Sequence, residues 1–135
     1  MIRPIEGTDR PALRALQGCL TYADPALVDA AIGGPFLGRI ASDRGRVVGY
    51  AIALPGSTVT LSELAVVPEA RRNGHGRRLL DSIVSAAAAD RVVVTTPVEN
   101  EAARRFYRRL GFEAFEVRPG FYADGTDALR LRRRE

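Results

Sequence analysis

The sequence predicts one mixed α/β (α+β) domain over residues 1–135. Its core should be a central, mostly antiparallel sheet of about six to seven strands, flanked by about four helices. Three observations carry that expectation. A chain of 135 residues, 46% hydrophobic and 27% charged, can bury a core without disulfides or metals. Two apolar runs joined by Asp43-Arg44-Gly45 carry a hairpin signal. Residues 57–96 read strand, helix, strand, which is a parallel βαβ unit with a right-handed crossover.

The elements follow in order. "MIRPIE" reads as a short strand. Thr8-Asp9 is a cap signal for a helix over "RPALRALQGCL", where Leu13, Leu16 and Leu20 recur at helical spacing. Asp24-Pro25 opens a second short helix, "PALVDAAIG", ended by Gly33-Gly34. "FLGRIASD", "RVVGYAIAL" and "STVTLSELAVV" form an antiparallel meander, the last pair joined through "PGS". Leu79, Leu80, Ile83, Val84 and Ala87 place an amphipathic helix over residues 74–89. "RVVVTT" is a continuous apolar run, as a buried parallel strand requires. Asn100 caps the helix "EAARRFYRRL", and Gly111 suits its left-handed C-terminal position. "FEAFEV" and "DALRLRR" complete the sheet around the loop "RPGFYADGT".

Composition removes several chemistries. With one cysteine (Cys19) and one histidine (His75), neither a disulfide framework nor a Cys/His zinc site can be built, and no metal is expected. Every basic side chain is arginine; the absence of lysine removes Schiff-base chemistry and the P-loop lysine, and is most simply a matter of genome composition. No run of about 18 apolar residues exists to span a membrane, and "MIRPIEGTDR" lacks the apolar core of a signal peptide, so a cytoplasmic location is expected. A net charge of +4 suits nucleic acid, an anionic cofactor or acidic surfaces without choosing among them.

The choice comes from "LAVVPEARRNGHGRRLL", residues 64–80. A helix that follows a parallel strand directs unpaired, partly positive N–H groups toward the ligand side of the sheet. Gly74 and Gly76 remove β-carbons there, and Arg71, Arg72, Arg77 and Arg78 add charge, so a pyrophosphate is the natural guest. The spacing is neither G-x-G-x-x-G, since position 79 is Leu, nor the P-loop pattern. Two glycines alone favour a tight turn with a solvated basic rim.

The wider context goes further. Arg71, Gly74 and Gly76 resemble the R-x-x-G-x-G acyl-CoA-binding motif of the GNAT family of N-acetyltransferases. Residues 100–112, "NEAARRFYRRLGF", resemble its second signature. The resemblance covers residues 46–118 well. It implies a single GNAT-like domain in which the two central parallel strands splay apart, and acetyl transfer from acetyl-CoA to an amine. Arg71, Arg72, Asn73, Gly74, His75, Gly76 and Arg77 would then hold the diphosphate. Leu64, Ala65 and Val66 would pair with the pantetheine arm, and Asn100 would both cap its helix and touch the cofactor.

Direct attack of the amine gives an oxyanion that the N–H near Val66 is placed to stabilise. Tyr107 matches the family tyrosine that returns a proton to the leaving thiolate, whose thiol has a pKa near 8.5. Its alternative is helix packing beside Phe106. For the base, Glu63 is the first candidate, an acid in an apolar strand in phase with Ala65 and Val67; a solvated or salt-bridged edge carboxylate is the alternative. Glu113 and Glu116 are weaker ones.

The stretch "GFYADGTDALRLRR" is similar to the ribosomal-protein N-terminal alanine acetyltransferases of this family, but Thr95 stands where that subgroup has a glutamate. Either Glu63 is the base, a water chain serves, or the acceptor differs. Tyr22, Asp24, Phe36 and Tyr122 are candidates for the acceptor slot, Tyr22 and Tyr122 foremost. His75, at the motif's variable position, is expected to face solvent, Cys19 to be a core thiol on the first helix, and Arg132 to Arg134 to be a solvated tail. The alternative to an enzyme is an acyl-CoA-binding regulatory domain without turnover. A nucleic-acid module is disfavoured by 7% aromatics and no tryptophan.

Overall fold

The computed structural model describes residues 1–135. Its helices are α1 (Arg10–Gln17), α2 (Pro25–Gly33), α3 (His75–Ala87) and α4 (Glu101–Arg109). Its strands are β1 (Ile2–Pro4), β2 (Leu37–Asp43), β3 (Arg46–Leu54), β4 (Thr58–Val66), β5 (Arg91–Pro97), β6 (Glu113–Arg118) and β7 (Ala128–Arg134). They form one seven-stranded sheet in the order β1-β2-β3-β4-β5-β7-β6.

Turn chemistry builds the antiparallel half. Asp43 pairs with Arg46 across a two-residue loop in which Arg44 and Gly45 have φ of 53° and 78°. Positive φ at both positions matches the loop's twist to that of the strands. β3 and β4 then pair antiparallel, and Ser62 is passed over where Ile52 faces Glu63 and Ala53 faces Leu61. Such a bulge changes which face the following side chains take. Val59 and Leu61 therefore lie in the larger apolar cluster, while Ala65 joins the smaller one on the opposite face.

The two faces are covered by different helices. Leu13, Leu16 and Val28 of α1 and α2 pack on Ile40, Tyr50, Ile52 and Ala65. Leu79, Leu80 and Ile83 of α3, with Tyr107 of α4, pack on Val59, Leu61, Val92 and Val94 from the other side. No helix is long and apolar enough to cross a membrane.

Two local expectations change. Asp9 occupies the position before α1, but its side chain does not cap the helix. A 3-10 turn over Gly7–Asp9 comes first, and the carboxylate takes two N–H bonds from Arg3 at 2.8 Å and one from Glu6 at 2.8 Å. Cys19 lies beyond the end of α1 and is exposed rather than in the core, because the helix stops at Gln17.

Candidate functional site

The site begins where two strands part. β4 and β5 pair in parallel only from Thr58 and Arg91 to Leu61 and Val94. Beyond that point β4 stays with β3 as far as Val66, and β5 stays with β7 as far as Pro97. Between them opens a cleft of about 430 Å³, walled by Ser62, Glu63 and Leu64 on one side and by Thr95, Thr96 and Pro97 on the other.

Peptide groups alternate in direction along a strand. The Val67 N–H donates to Val48 O at 2.8 Å, toward β3. The peptide groups of Val66 and Leu64 therefore point the other way, into the gap. Arg71 Nε reaches Val66 O from that side at 2.9 Å. Ala65 is different: it pairs with Tyr50, so its main chain is committed to β3, and of the three expected residues only Leu64 and Val66 face the gap, Val66 with its carbonyl taken by Arg71.

The glycine turn lies next to this gap. Arg72 and Gly74 both have left-handed φ, 67° and 78°, and α3 starts at His75. The first N–H to find a helical acceptor is that of Arg78, on Gly74 O at 3.1 Å; none from Arg72 to Arg77 is paired with a backbone carbonyl. Unpaired N–H groups at the start of a 13-residue helix are suited to receive an anion. Arg72 and Arg77 are exposed at the rim of the turn, and Asn73 is pinned by its own amide to Ala70 O at 3.1 Å.

His75 is not solvent-facing: it is 6% exposed, and its Nδ1 lies 3.2 Å from Arg78 Nη2. As the first residue of α3 it is turned inward, with the Arg78 guanidinium beside it. Gly76 has a reason apart from any ligand: a β-carbon there would lie 2.9 Å from Phe106 Cζ, so the glycine lets α3 and α4 meet.

α4 delivers Tyr107 to the cleft floor. Asn100 Oδ1 caps the helix by accepting from Ala103 N at 3.1 Å, and Asn100 also lines the cleft. The Tyr107 ring packs edge-on against Phe106 and Phe112, with centroids 5.1 and 5.4 Å away. Packing and cleft lining are thus both true of this residue. Burial pushes its phenol well above the ordinary value near 10.

Glu63 is neither solvated nor in an ion pair. It is 6% exposed, on the face covered by α1 and α2. Oε1 accepts from Gln17 Nε2 at 3.0 Å and Tyr50 OH at 2.8 Å, and Oε2 accepts from the Asp24 N–H at 2.7 Å. Glu113 and Glu116 lie on the edge strand β6, away from the cleft, paired with Arg132 and with Arg118 and Arg130. Thr95 does line the cleft.

Over the cleft, Tyr22 from the α1–α2 loop stacks on Tyr122 from the β6–β7 loop at 4.0 Å and 16°. The Tyr22 hydroxyl donates to Asp124 at 2.7 Å and lies 3.0 Å from Thr126 Oγ1. Burial, with Tyr22 alongside, pushes the Tyr122 phenol up to about 12. Asp24 also lines the cleft, whereas Phe36 packs into the smaller core cluster. Sequence reading missed Asp124 and Thr126; the "ADGTD" turn held the donors and acceptors, but nothing local paired them with Tyr22.

Comparison with known proteins agrees with this geometry. A family model described as an acetyltransferase (GNAT) domain matches residues 36–114. The N-alpha-acetyltransferase 30 of Schizosaccharomyces pombe is 33% identical over 105 residues, covering 71% of this chain and 70% of that protein. An uncharacterized protein of Mycobacterium leprae is 39% identical over 71 residues, 52% of this chain, and the match spans 20% of its length. Among solved structures, a ribosomal-protein alanine N-acetyltransferase from Escherichia coli superposes with a TM-score of 0.84 at 25% identity, over 98% of this chain and 91% of that one.

Proposed function

The chain belongs to the GNAT acetyltransferase family and is an acyltransferase; from that premise we propose that it transfers acetyl from acetyl-CoA to a primary amine by direct attack. The observation that carries this reading is the parting of β4 from β5 beside a turn of unpaired N–H groups. An amide-bearing arm fits the edge of Leu64 and the N–H of Val66, and a diphosphate fits the amides from Arg72 to Arg77, with Asn73, Gly74, His75 and Gly76 shaping the cradle. Arg71, bonded to Val66 O, would lie beside the cradle, and Asn100, which lines the cleft, would touch the co-substrate there. The residues present therefore suit this co-substrate, and we assign no metal to the reaction.

When bound, acetyl-CoA supplies an activated acetyl thioester. The Val66 N–H, directed into the gap, would donate to the oxyanion formed on attack. The Tyr107 hydroxyl, kept protonated by its buried setting, would return a proton to the leaving thiolate. An amine with a pKa near 8 to 10 must lose a proton before it attacks. Water along Ser62 and Thr95 takes that proton in this scheme, since three donors already occupy Glu63. Protein N-termini are the acceptors we favour, on the likeness to N-terminal acetyltransferases, with Tyr22 and Tyr122 as the walls they meet. A cytoplasmic site of action and one functional unit over residues 1–135 belong to the same proposal.

Calorimetry with coenzyme A and acetyl-CoA, followed by thiol release with a panel of free N-terminal peptides and small amines, tests the reading. Binding together with amine-dependent thiol release is expected. Absence of binding overturns it. Binding without release by any acceptor supports a regulatory acyl-CoA-binding domain instead.

A further inference from the structure

We propose that Glu63 is a positioning residue: its buried carboxylate fixes the loop between α1 and α2 as the acceptor-side wall of the cleft. The role rests on the acetyl-transfer reading, but it concerns a part of the site that reading leaves unexplained.

A carboxylate is costly to bury unless its oxygens are satisfied. Glu63 meets that condition with three neutral donors and no cation, and each donor comes from a different place. Tyr50 is on β3, Gln17 on α1, and the Asp24 N–H belongs to the loop just before α2. Gln17 closes the ring, because its Nε2 also donates to Asp24 O at 2.9 Å. Asp24 is thus held through both its N–H and its carbonyl. The Ser62 bulge makes this possible, since an uninterrupted strand would turn Glu63 to the face of Leu61, away from α1.

Tyr50 is the neighbouring titratable group: its phenol is pushed up by burial and by the Glu63 carboxylate, with a smaller contribution from Cys19. It stays a donor throughout the working pH range. The carboxylate is therefore locked in one geometry, which suits an anchor better than a base. A base must exchange its proton with solvent at every turnover.

Fixing Asp24 has a direct consequence for the cleft. Tyr22 is two residues upstream and makes the stack on Tyr122. Within the loop, Asp24 is held by Glu63 and Tyr22 by Asp124, so the stretch just before α2 is braced at two points. Loops without such bracing sample many conformations, and a mobile wall binds its acceptor weakly.

The test compares wild type, Glu63→Ala and Glu63→Gln in two measurements. Amide exchange of ligand-free protein should speed up at residues 20–24 in Glu63→Ala, by about tenfold or more, with α3 and β5 unchanged. Steady-state rates with saturating acetyl-CoA and a short alanine-initiated peptide should show the peptide KM raised about tenfold, with kcat and the acetyl-CoA KM within about threefold. The shape of the pH profile of kcat/KM should not change. Glu63→Gln, which keeps an oxygen for the Asp24 N–H, should fall between the two.

A catalytic base gives the opposite pattern. Loss of a base lowers kcat by about a hundredfold or more at neutral pH, shrinks as pH approaches the amine's own pKa, and leaves loop exchange and peptide KM alone. That pattern, or unchanged exchange at residues 20–24, overturns the proposal. If wild type itself shows no turnover, the acetyl-transfer reading fails while the exchange measurement still decides whether Glu63 holds the loop.

Discussion

Tyr107 combines a ring packed between Phe106 and Phe112 with a hydroxyl that makes no hydrogen bond inside the protein. The packing holds the ring still, and the free hydroxyl is left to face the cleft it lines. Removing that oxygen in Tyr107→Phe should lower kcat by about a hundredfold and leave acetyl-CoA affinity within about twofold, because in the proposed reaction the group acts mainly in the transition state. The pH dependence has a definite sign. A phenol raised above its ordinary value near 10 stays protonated through neutral and mildly alkaline pH. Any alkaline fall in rate below about pH 10 should therefore persist in Tyr107→Phe rather than disappear with the hydroxyl. Gly74 makes a second prediction. Its φ of 78° is left-handed, and a β-carbon would sit 3.0 Å from Arg78 Nη1. Gly74→Val should weaken coenzyme A binding by about tenfold or more in calorimetry and also cost about 1–2 kcal/mol of stability, since a branched residue resists that conformation. Equal affinity in the two proteins would remove the turn from the binding site.

Between elements, the contact that matters most for the site is the one between the start of α3 and the middle of α4. In the proposed reaction one helix carries the diphosphate and the other carries Tyr107, so their spacing would set the distance from diphosphate to proton donor. Gly76 and Phe106 define that spacing: a β-carbon at Gly76 would lie only 2.9 Å from the ring. Gly76→Ala should destabilise the protein by about 1–3 kcal/mol through overpacking. Phe106→Leu alone opens space and carries its own cost. The two together should recover part of the loss, with a coupling of about 0.5–3 kcal/mol in a double-mutant cycle of denaturant midpoints. Strict additivity would mean that the helices do not meet through this pair. Elements also explain why the parallel pair is so short. β4 follows β3 and β5 follows β7 after Leu61 and Val94, so each strand keeps its outer partner and the inner edges are left for a guest.

Over the molecule as a whole, what could be read from the sequence was whatever local spacing encodes. The crossover helix, the Asn100 cap and the Asp43 hairpin each depend on residues a few positions apart, and each appears as expected. The Ser62 bulge, the inward turn of His75, the Tyr22–Tyr122 stack and the Glu63 ring depend on residues brought together only by the closed sheet; Tyr22 and Asp124 are 102 positions apart. A periodicity cannot report such contacts, because their cause is the packing of one face on another. The same global character makes the last prediction. A ligand that binds only the folded chain stabilises it by about 2.7 kcal/mol at a hundredfold excess over Kd, which raises the melting temperature on the order of 10 °C for a domain of this size. Coenzyme A should produce that shift in wild type, and about half of it or less in Gly74→Val. Pantetheine, which has the arm without the diphosphate, should give a much smaller shift at the same concentration. Added salt should shrink the coenzyme A shift, since the exposed Arg72 and Arg77 act through water. If pantetheine matched coenzyme A, the gap between β4 and β5 would be the whole site and the arginine-rimmed turn would have no part in holding the ligand.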